Sequence, residues 1–486
     1  MRVVTRAQML EAEQAAFASG VKASELMESA GRQMAEFVQQ NHPQPGTCRI
    51  YAGKGNNGGD VLVAGRFLAA AGWAVQTHLP DPALAPLPAE QMRRLEGIPL
   101  QRGGRPPFVI LDGLLGIGAK GDPRGGVADA IRTINDLREN SGAWVLSADL
   151  PSGLDADTGN PGAPCVLADA TMTMGFPKTG LLEDAAIHAV GRLAVARLEG
   201  LGDPGANGQE VVTSWNLRGL LPPRGFDTHK GMAGRVAVLA GSAGYLGAAR
   251  LCAAASVAGG AGLVTLFAKK DVCGLLAGSV ISEVMVREGD SYEEVLSSPW
   301  DALAIGPGLS TQCADEVIAV VRKARCPCVV DADALTVISR FPGMLSECAG
   351  PRLLTPHPGE MERLFPREGR SRLEWMREFV AKFPVTLLLK GARTVIGQAE
   401  LPASFNTTGN PGMASGGMGD VLTGISAALL AQKLPVPEAA KMAAWICGRA
   451  AEIALTSGQE SQESLRASHI IRHAGAAFRS LRAGDY

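Results

Sequence analysis

Little in this chain points to disulfide, zinc-thiolate or nucleic-acid chemistry. Nine cysteines are scattered through 486 residues, with no C-x-x-C pair and no His/Cys cluster at zinc spacing. The odd count argues against a disulfide framework, so a reducing, cytoplasmic setting is expected. Charge of one sign is lacking too: 46 Lys and Arg stand against 48 Asp and Glu, a formal net charge of -2. With no basic stripe to meet a phosphate backbone, no nucleic-acid partner is expected. The opening "MRVVTRAQMLEAEQAAFASG" carries charge throughout and has no apolar segment followed by a small-residue cleavage site; no export signal is read there. One uncharged stretch, Leu251 to Ala268, approaches the length of a membrane span. Its "GGAG" divides it into a small-residue helix and a β-branched strand, so the expectation is a buried helix-to-strand unit and no membrane. A G-x-x-x-x-G-K-[ST] loop is also missing, which disfavours a Walker-type ATPase.

What is present is a regular alternation of short apolar runs with helical patterns. "CRIYAG", "FVILDGLLG" and "AWVLSADLPSG" come first, then "GRVAVLAG", "LVTLFA", "ALAIGPGL", "CVVDADAL" and "VTLLLKG". Runs this apolar predict strands covered on both faces, as in parallel α/β sheets. Nearly all end in a Gly, Asp or Pro turn, which sets polar residues at the carboxyl ends of strands, where open α/β sheets bind ligands. Between Gly200 and Gly234 the pattern lapses into Gly, Pro and polar residues. The boundary is therefore expected there, giving two three-layer α/β domains at 1–210 and 211–486.

In the first domain "YAGKGNNGGDV" places Gly53, Gly55 and Gly58 at G-x-G-x-x-G spacing between a predicted strand and helix. Free N–H groups at such a helix start favour a phosphate. A redox dinucleotide site also wants an acid about 20 residues on; Asp81, behind His78, Leu79 and Pro80, fits loosely. Asn56 and Asn57 lie outside that fingerprint. Their amide oxygens suit a hard cation or sugar hydroxyls, although a turn using Asn for left-handed backbone angles explains either one alone. Two further strand ends supply Asp112, Asp149, Ser152 and Asp155, so several carboxylates and a hydroxyl should meet at one sheet edge.

"LMESAG", "GNNGGD", "DGLLGIGAKGD" and "ADLPSGLDADTG", in that order and spacing, resemble the NAD(P)H-hydrate epimerase domain, which is Rossmann-like. The resemblance implies that Asn56, Asn57, Gly58, Gly59, Asp60, Gly116, Ile117, Gly118, Ala119, Lys120, Gly121, Asp122 and Asp149 contact a hydrated nicotinamide nucleotide. It implies that Asn57, Asp112 and Ser152 hold a potassium ion, and Asp149 is the acid/base candidate. Val61 stands where a glycine is usual, and Ile117 where a hydroxyl residue is.

The second half offers "GSAGYLGAARL", "GPGL", "DADAL", "TPHPGEMERL", "LLKGART" and "NPGMASGGMGDVLTG". A glycine run closing on an aspartate at a helix start would put backbone donors around a transferring phosphate with a carboxylate base beside them. Singly, each piece has a plainer reading: Asp420 as a helix cap, Lys390 as a solvated turn residue, His357 as a rigid-loop residue between two prolines. In order, they resemble the ADP-dependent NAD(P)H-hydrate dehydratase domain, which is ribokinase-like, and the fusion resembles the bacterial bifunctional NAD(P)H-hydrate repair enzymes. That resemblance implies Ala248, Gly308, His357 and Asp420 at the hydrated nicotinamide, with Asp420 as base. It implies Lys390, Gly391, Ala392, Arg393, Thr394 and Gly419 at ADP, magnesium with the nucleotide, and a homo-oligomer. Thr336 replaces a usual Asn. A ribokinase-type kinase for a small alcohol, a non-catalytic nucleotide-binding first domain, and an ordinary NAD-dependent dehydrogenase are the competing expectations.

Overall fold

The computed structural model describes every residue except 99–103, 105, 206 and 222. Residues Met1–Asn207 form one compact unit and Gly208–Asp485 another.

The first unit is built on six strands: β1 (Thr47–Ala52), β2 (Ala74–His78), β3 (Phe108–Gly113), β4 (Trp144–Ala148), β5 (Ala170–Met174) and β6 (Arg192–Ala196). All pair in parallel, in the order β2-β1-β3-β4-β5-β6. Both faces are covered. Ile50, Leu111 and Leu146 pack with Met34, Leu62 and Leu68 of helices Ala23–Asn41 and Asn56–Ala70 on one side. The alternate residues Tyr51, Ile110 and Val145 pack with Ile131 and Ile134 of helix Gly125–Ser141 on the other. Period-2 alternation with apolar residues on both phases is what a sandwiched parallel sheet requires.

The second unit holds ten strands: β7 (Gln209–Val211), β8 (Arg235–Leu239), β9 (Leu263–Ala268), β10 (Val284–Glu288), β11 (Ala302–Ile305), β12 (Cys328–Val330), β13 (Arg352–Leu354), β14 (Thr386–Leu389), β15 (Thr394–Gly397) and β16 (Ala403–Asn406). Their order is β10-β9-β8-β11-β12-β13-β14-β15-β16-β7. Among the described strands only β15 runs antiparallel to its neighbours. Strand β7 pairs Gln209 and Glu210 with Ala403 and Ser404, so these two residues extend the second sheet. Helices Leu246–Ala258, Met418–Ala431, Val436–Thr456 and Ala467–Ala483 close a large core over Val236, Val238 and Leu266. The uncharged stretch at 251–268 is the end of the first of these helices followed by β9. Among the described residues no helix is long and apolar enough to cross a membrane.

The helix carrying the "NNGGD" turn is seated by glycine contact. A Cβ on Gly31 would lie 2.4 Å from Val63 Cβ and 2.7 Å from the Asp60 carbonyl oxygen. Gly31→Ala is therefore expected to destabilise the first unit by about 1–3 kcal/mol through overpacking. A fall in its denaturant midpoint checks this; an unchanged midpoint contradicts it.

Candidate active sites

Two of the three fingerprint glycines serve packing. A Cβ on Gly53 would lie 1.9 Å from the Leu114 carbonyl oxygen, and one on Gly58 would lie 1.9 Å from the Gly53 carbonyl oxygen. Gly55 caps helix Asn56–Ala70 and has open space where a side chain would stand. Strand end and helix start are thus drawn together with an open helix N-terminus. Val61 is fully buried, and its Cγ2 would be 2.5 Å from a Cβ on Gly113, so the branched residue fits only because β3 ends in glycine there.

Asp112, at the end of β3, is 0% exposed. Its Oδ1 accepts from Ser152 Oγ (2.6 Å) and the Leu114 amide (3.2 Å); its Oδ2 accepts from Ser147 Oγ (2.8 Å) and the Ser152 amide (2.9 Å). Burial raises the Asp112 carboxyl above its ordinary value, against the pull of those bonds. Asn57 Nδ2 donates to the carbonyls of Leu115 (2.8 Å) and Ala148 (2.7 Å), and Ser152 Oγ accepts from the Leu115 amide (2.9 Å). The Leu115 peptide links these groups, its carbonyl accepting from Asn57 and its amide donating to Ser152, which in turn binds Asp112. Among the described residues no basic side chain hydrogen-bonds Asp112, so a hard monovalent cation fits the donor set by charge and by chemistry.

Asp149 follows β4 with φ +66°, a left-handed conformation uncommon for a non-glycine residue. Its Oδ1 accepts from the Met174 amide (3.0 Å), Thr173 Oγ1 (3.2 Å) and, closely, Lys178 Nζ. Its Oδ2 takes no hydrogen bond among the described residues. Asp60, buried in the first turns of its helix, is held well above the carboxylate range by burial, then by the charges of Asp149 and Glu13. The Gly116–Asp122 loop begins against this group: a Cβ on Gly116 would stand 3.2 Å from Asn57 Cγ. Ile117 is half-buried, Gly118 to Asp122 are exposed, and Asp122 Oδ1 anchors the loop by accepting from the Ala163 amide (3.0 Å). Asp81 is spent on a local turn, accepting from the Ala83 amide at 2.9 Å.

In the second unit the corresponding centre is Asp331, 1% exposed, just past β12. Although it precedes helix Ala332–Ile338, its side chain does not cap it. Oδ1 accepts from Lys390 Nζ (2.8 Å) and Oδ2 from Thr423 Oγ1 (2.8 Å). A Cβ on Gly419 would meet Lys390 Nζ at 3.2 Å, so the glycine run lies directly against this ion pair. Burial works against the Lys390 charge, but Asp331 and then Glu360 outweigh it and raise the ammonium above its usual value.

Asp420 lies in the first turn of helix Met418–Ala431, whose cap is Gly417, so it is not the helix cap. Its carboxyl takes no hydrogen bond among the described residues. Burial first, then the Asp331 charge, push it up to about 6, opposed by Lys390. His357 is the cap of helix Pro358–Leu364: its Nδ1 accepts from the amides of Gly359 (3.0 Å) and Glu360 (3.2 Å), and its Nε2 lies 3.6 Å from Glu360 Oε1, on a side chain 54% exposed. Gly308 sits at φ +58°, where a Cβ would lie 3.0 Å from Ala248 Cβ, and Ser310 binds Asp333 Oδ2 through its amide (2.8 Å). Residues 390–393 form the turn between β14 and β15, and Thr394 opens β15; Thr394 Oγ1 donates to the Gly391 carbonyl (3.1 Å), Ala392 is exposed and Arg393 is buried. Thr336 donates to the Ala332 carbonyl at 3.4 Å within its own helix.

Sequence reading passed over Lys178, Thr173, Asp331, Glu360 and Thr423. For Lys178 the available signal was "GFPKTG" directly after a strand, the same strand-end position as Asp112 and Asp149.

Two α/β units, each with a hydrogen-bonded buried aspartate at a strand end and a second, open carboxyl near it, belong to the class of two-site enzymes acting on nucleotides. The family model described as NAD(P)H-hydrate dehydratase matches residues 236–473, and that described as YjeF-related protein N-terminus matches residues 23–180. A bifunctional NAD(P)H-hydrate repair enzyme of Moorella thermoacetica is 35% identical over 94% of this chain and 92% of its own length. The Vibrio cholerae enzyme of that description is 35% identical over 96% of each chain. The chain belongs to the family of bifunctional NAD(P)H-hydrate repair enzymes. Among solved structures, the ADP/ATP-dependent NAD(P)H-hydrate dehydratase of Bacillus subtilis, co-crystallised with ATP and Mg2+, is 30% identical with a TM-score of 0.50, covering 57% of this chain and 100% of its own. A ribokinase-like protein of Enterococcus faecalis is 26% identical, TM-score 0.50, covering 58% and 99%.

A carboxyl raised in the folded state binds its proton more tightly there than when unfolded. Asp420 therefore costs stability as pH rises from about 4, its unfolded range, through about 6. Asp420→Asn is expected to stabilise the second unit by about 1–3 kcal/mol at pH 8 and by almost nothing at pH 4. Denaturation at the two pH values checks this; equal effects at both contradict it.

Proposed function

We propose that the chain repairs NADH and NADPH that carry water across a double bond of the nicotinamide ring. The first domain interconverts the R and S hydrates, and the second dehydrates the S form at the expense of ADP. The observation that carries the reading is that, among the described residues, Asp149 Oδ2 and the Asp420 carboxyl take no hydrogen bond, whereas Asp112 and Asp331 have both oxygens hydrogen-bonded.

In the hydrate, the hydroxyl carbon C6 adjoins ring nitrogen N1. Loss and return of hydroxide, or opening and reclosure of the C6–N1 bond, each scrambles C6, and each needs a proton moved at the hydroxyl. Asp149 is placed for that transfer through its open oxygen. The helix N-terminus at Asn56 and the Gly116–Asp122 loop receive the nucleotide's phosphates and sugars. Asn57, Asp112 and Ser152 would hold a potassium ion, which would supply charge compensation at this turn.

In the second domain Asp420 takes the hydroxyl proton as the oxygen attacks the terminal phosphoryl group of ADP, releasing AMP. The Gly416–Gly419 amides stabilise the transferring group. Phosphate then leaves C6, a proton leaves C5, and the ring double bond returns. Magnesium bound with the nucleotide neutralises phosphate charge. Ala248, Gly308 and His357 line the nicotinamide side, and residues 390–394 lie on the adenine-nucleotide side.

With pure S hydrate, ADP and magnesium, NADH, AMP and phosphate are expected in equal amounts. Asp420→Asn should slow all three by roughly 10²–10⁴-fold. Accumulation of a phosphorylated nucleotide instead would identify a kinase. Replacing potassium with a large organic cation should lower the epimerisation rate while leaving S-hydrate dehydration unchanged; equal loss of both would defeat the cation assignment.

A further inference from the structure

Among the described residues Lys178 is the one lysine that is wholly buried, at 0% exposure, and neither proposed reaction uses it. It follows β5 in "GFPKTG", and its backbone is pinned by a bridge to Val4. All three ammonium hydrogens have acceptors: Asp149 Oδ1, Thr173 Oγ1 (3.1 Å) and the Met174 carbonyl (3.1 Å). An ion pair buried this deeply is a weak route to stability, because the desolvation of two charges offsets their attraction. Its geometry has another consequence. Lys178, Thr173 and the Met174 amide all fall on Oδ1 of Asp149, which fixes the carboxylate's rotation and turns Oδ2 away from them. Asp149 is also held at φ +66°, so both its backbone and its side chain are constrained. Two more carboxyls, Asp60 and Glu13, face the pair, and both are raised by burial with the Asp149 charge adding. Lys178 is the cation in that group.

We propose that Lys178 is a positioning residue for epimerisation: it holds Asp149 through Oδ1 so that Oδ2 meets the hydrate's hydroxyl group. This rests on the epimerase reading of the first domain. Lys178 touches no reacting atom; it acts only through Asp149.

The test is a double-variant cycle in the full chain, reading R/S interconversion by chromatography. Lys178→Met should lower kcat on the order of 10²-fold, with KM within about threefold because the nucleotide-binding turn is untouched. Introduced into Asp149→Asn, the same substitution should cause no further loss, since Lys178 has nothing left to position. The paired variant also leaves no orphan buried charge, so it provides a folded reference if Lys178→Met alone does not fold. In that event Lys178→Gln, which keeps a donor, carries the single-variant measurement. A rate within about threefold of the parent, a loss confined to KM, or additive losses in the paired variant would each overturn the proposal. Absence of epimerisation by the parent chain would instead overturn the epimerase reading itself.

Discussion

A carboxylate buried at the end of a central parallel strand organises each half of this protein. Asp112 stands past the middle of the first sheet, and its four hydrogen bonds tie the end of β3 to β4 and to the Ser152 turn. Asp331 does the same past β12, binding Lys390 from the end of β14 and Thr423 from helix Met418–Ala431. A buried carboxylate left unsatisfied would cost several kcal/mol. The segments that supply its partners are thereby held in one arrangement, and those segments carry the open carboxyls.

The two sites divide labour in the same way. One aspartate has both oxygens hydrogen-bonded and ties the loops together; a second keeps, among the described residues, an oxygen without a hydrogen bond. The electrostatics differ. Asp149 has a buried lysine bonded to it, whereas Asp420 has Lys390 only as a neighbour, and burial, then the Asp331 charge, push it up to about 6. A base that must accept a hydroxyl proton near neutral pH works best when its own pKa lies close to that range. The glycine turns complete both sites, bringing helix N-termini to the strand ends where phosphate can meet free amides.

Much of this architecture is legible in the residues. "CRIYAG", "FVILDG" and "VTLLLK" are strands because apolar residues occupy both phases of the alternation, and the Gly, Asp or Lys that ends each run lies at a site. Strand β5 was passed over because "ATMTM" alternates Thr with Met; its threonines are buried by hydrogen bonding, with Thr171 Oγ1 donating to the Val190 carbonyl, and hydropathy does not register that. Lys178 escaped notice because a lone lysine normally reads as solvated. Asp331 was visible in "DADAL" as a strand end, but its partner Lys390 is 59 residues away, and pairing over that distance is decided by strand order. His357 shows the converse: its rigid place between two prolines is a helix cap, and the cap sets Nε2 beside the Glu360 carboxylate.

The central claim is that two independent sites on one chain act in sequence on the same damaged nucleotide. Its most direct test is recovery of the reduced-nicotinamide absorbance from a mixture of R and S hydrated NADH with ADP, magnesium and potassium. The parent chain is predicted to recover all of the material. Asp149→Asn should stop at the S share, and recovery should resume to completion when Asp420→Asn protein, which still epimerises, is added. A parent chain that stops at the S share, or an Asp149→Asn chain that recovers everything at the parent's rate, would contradict the account.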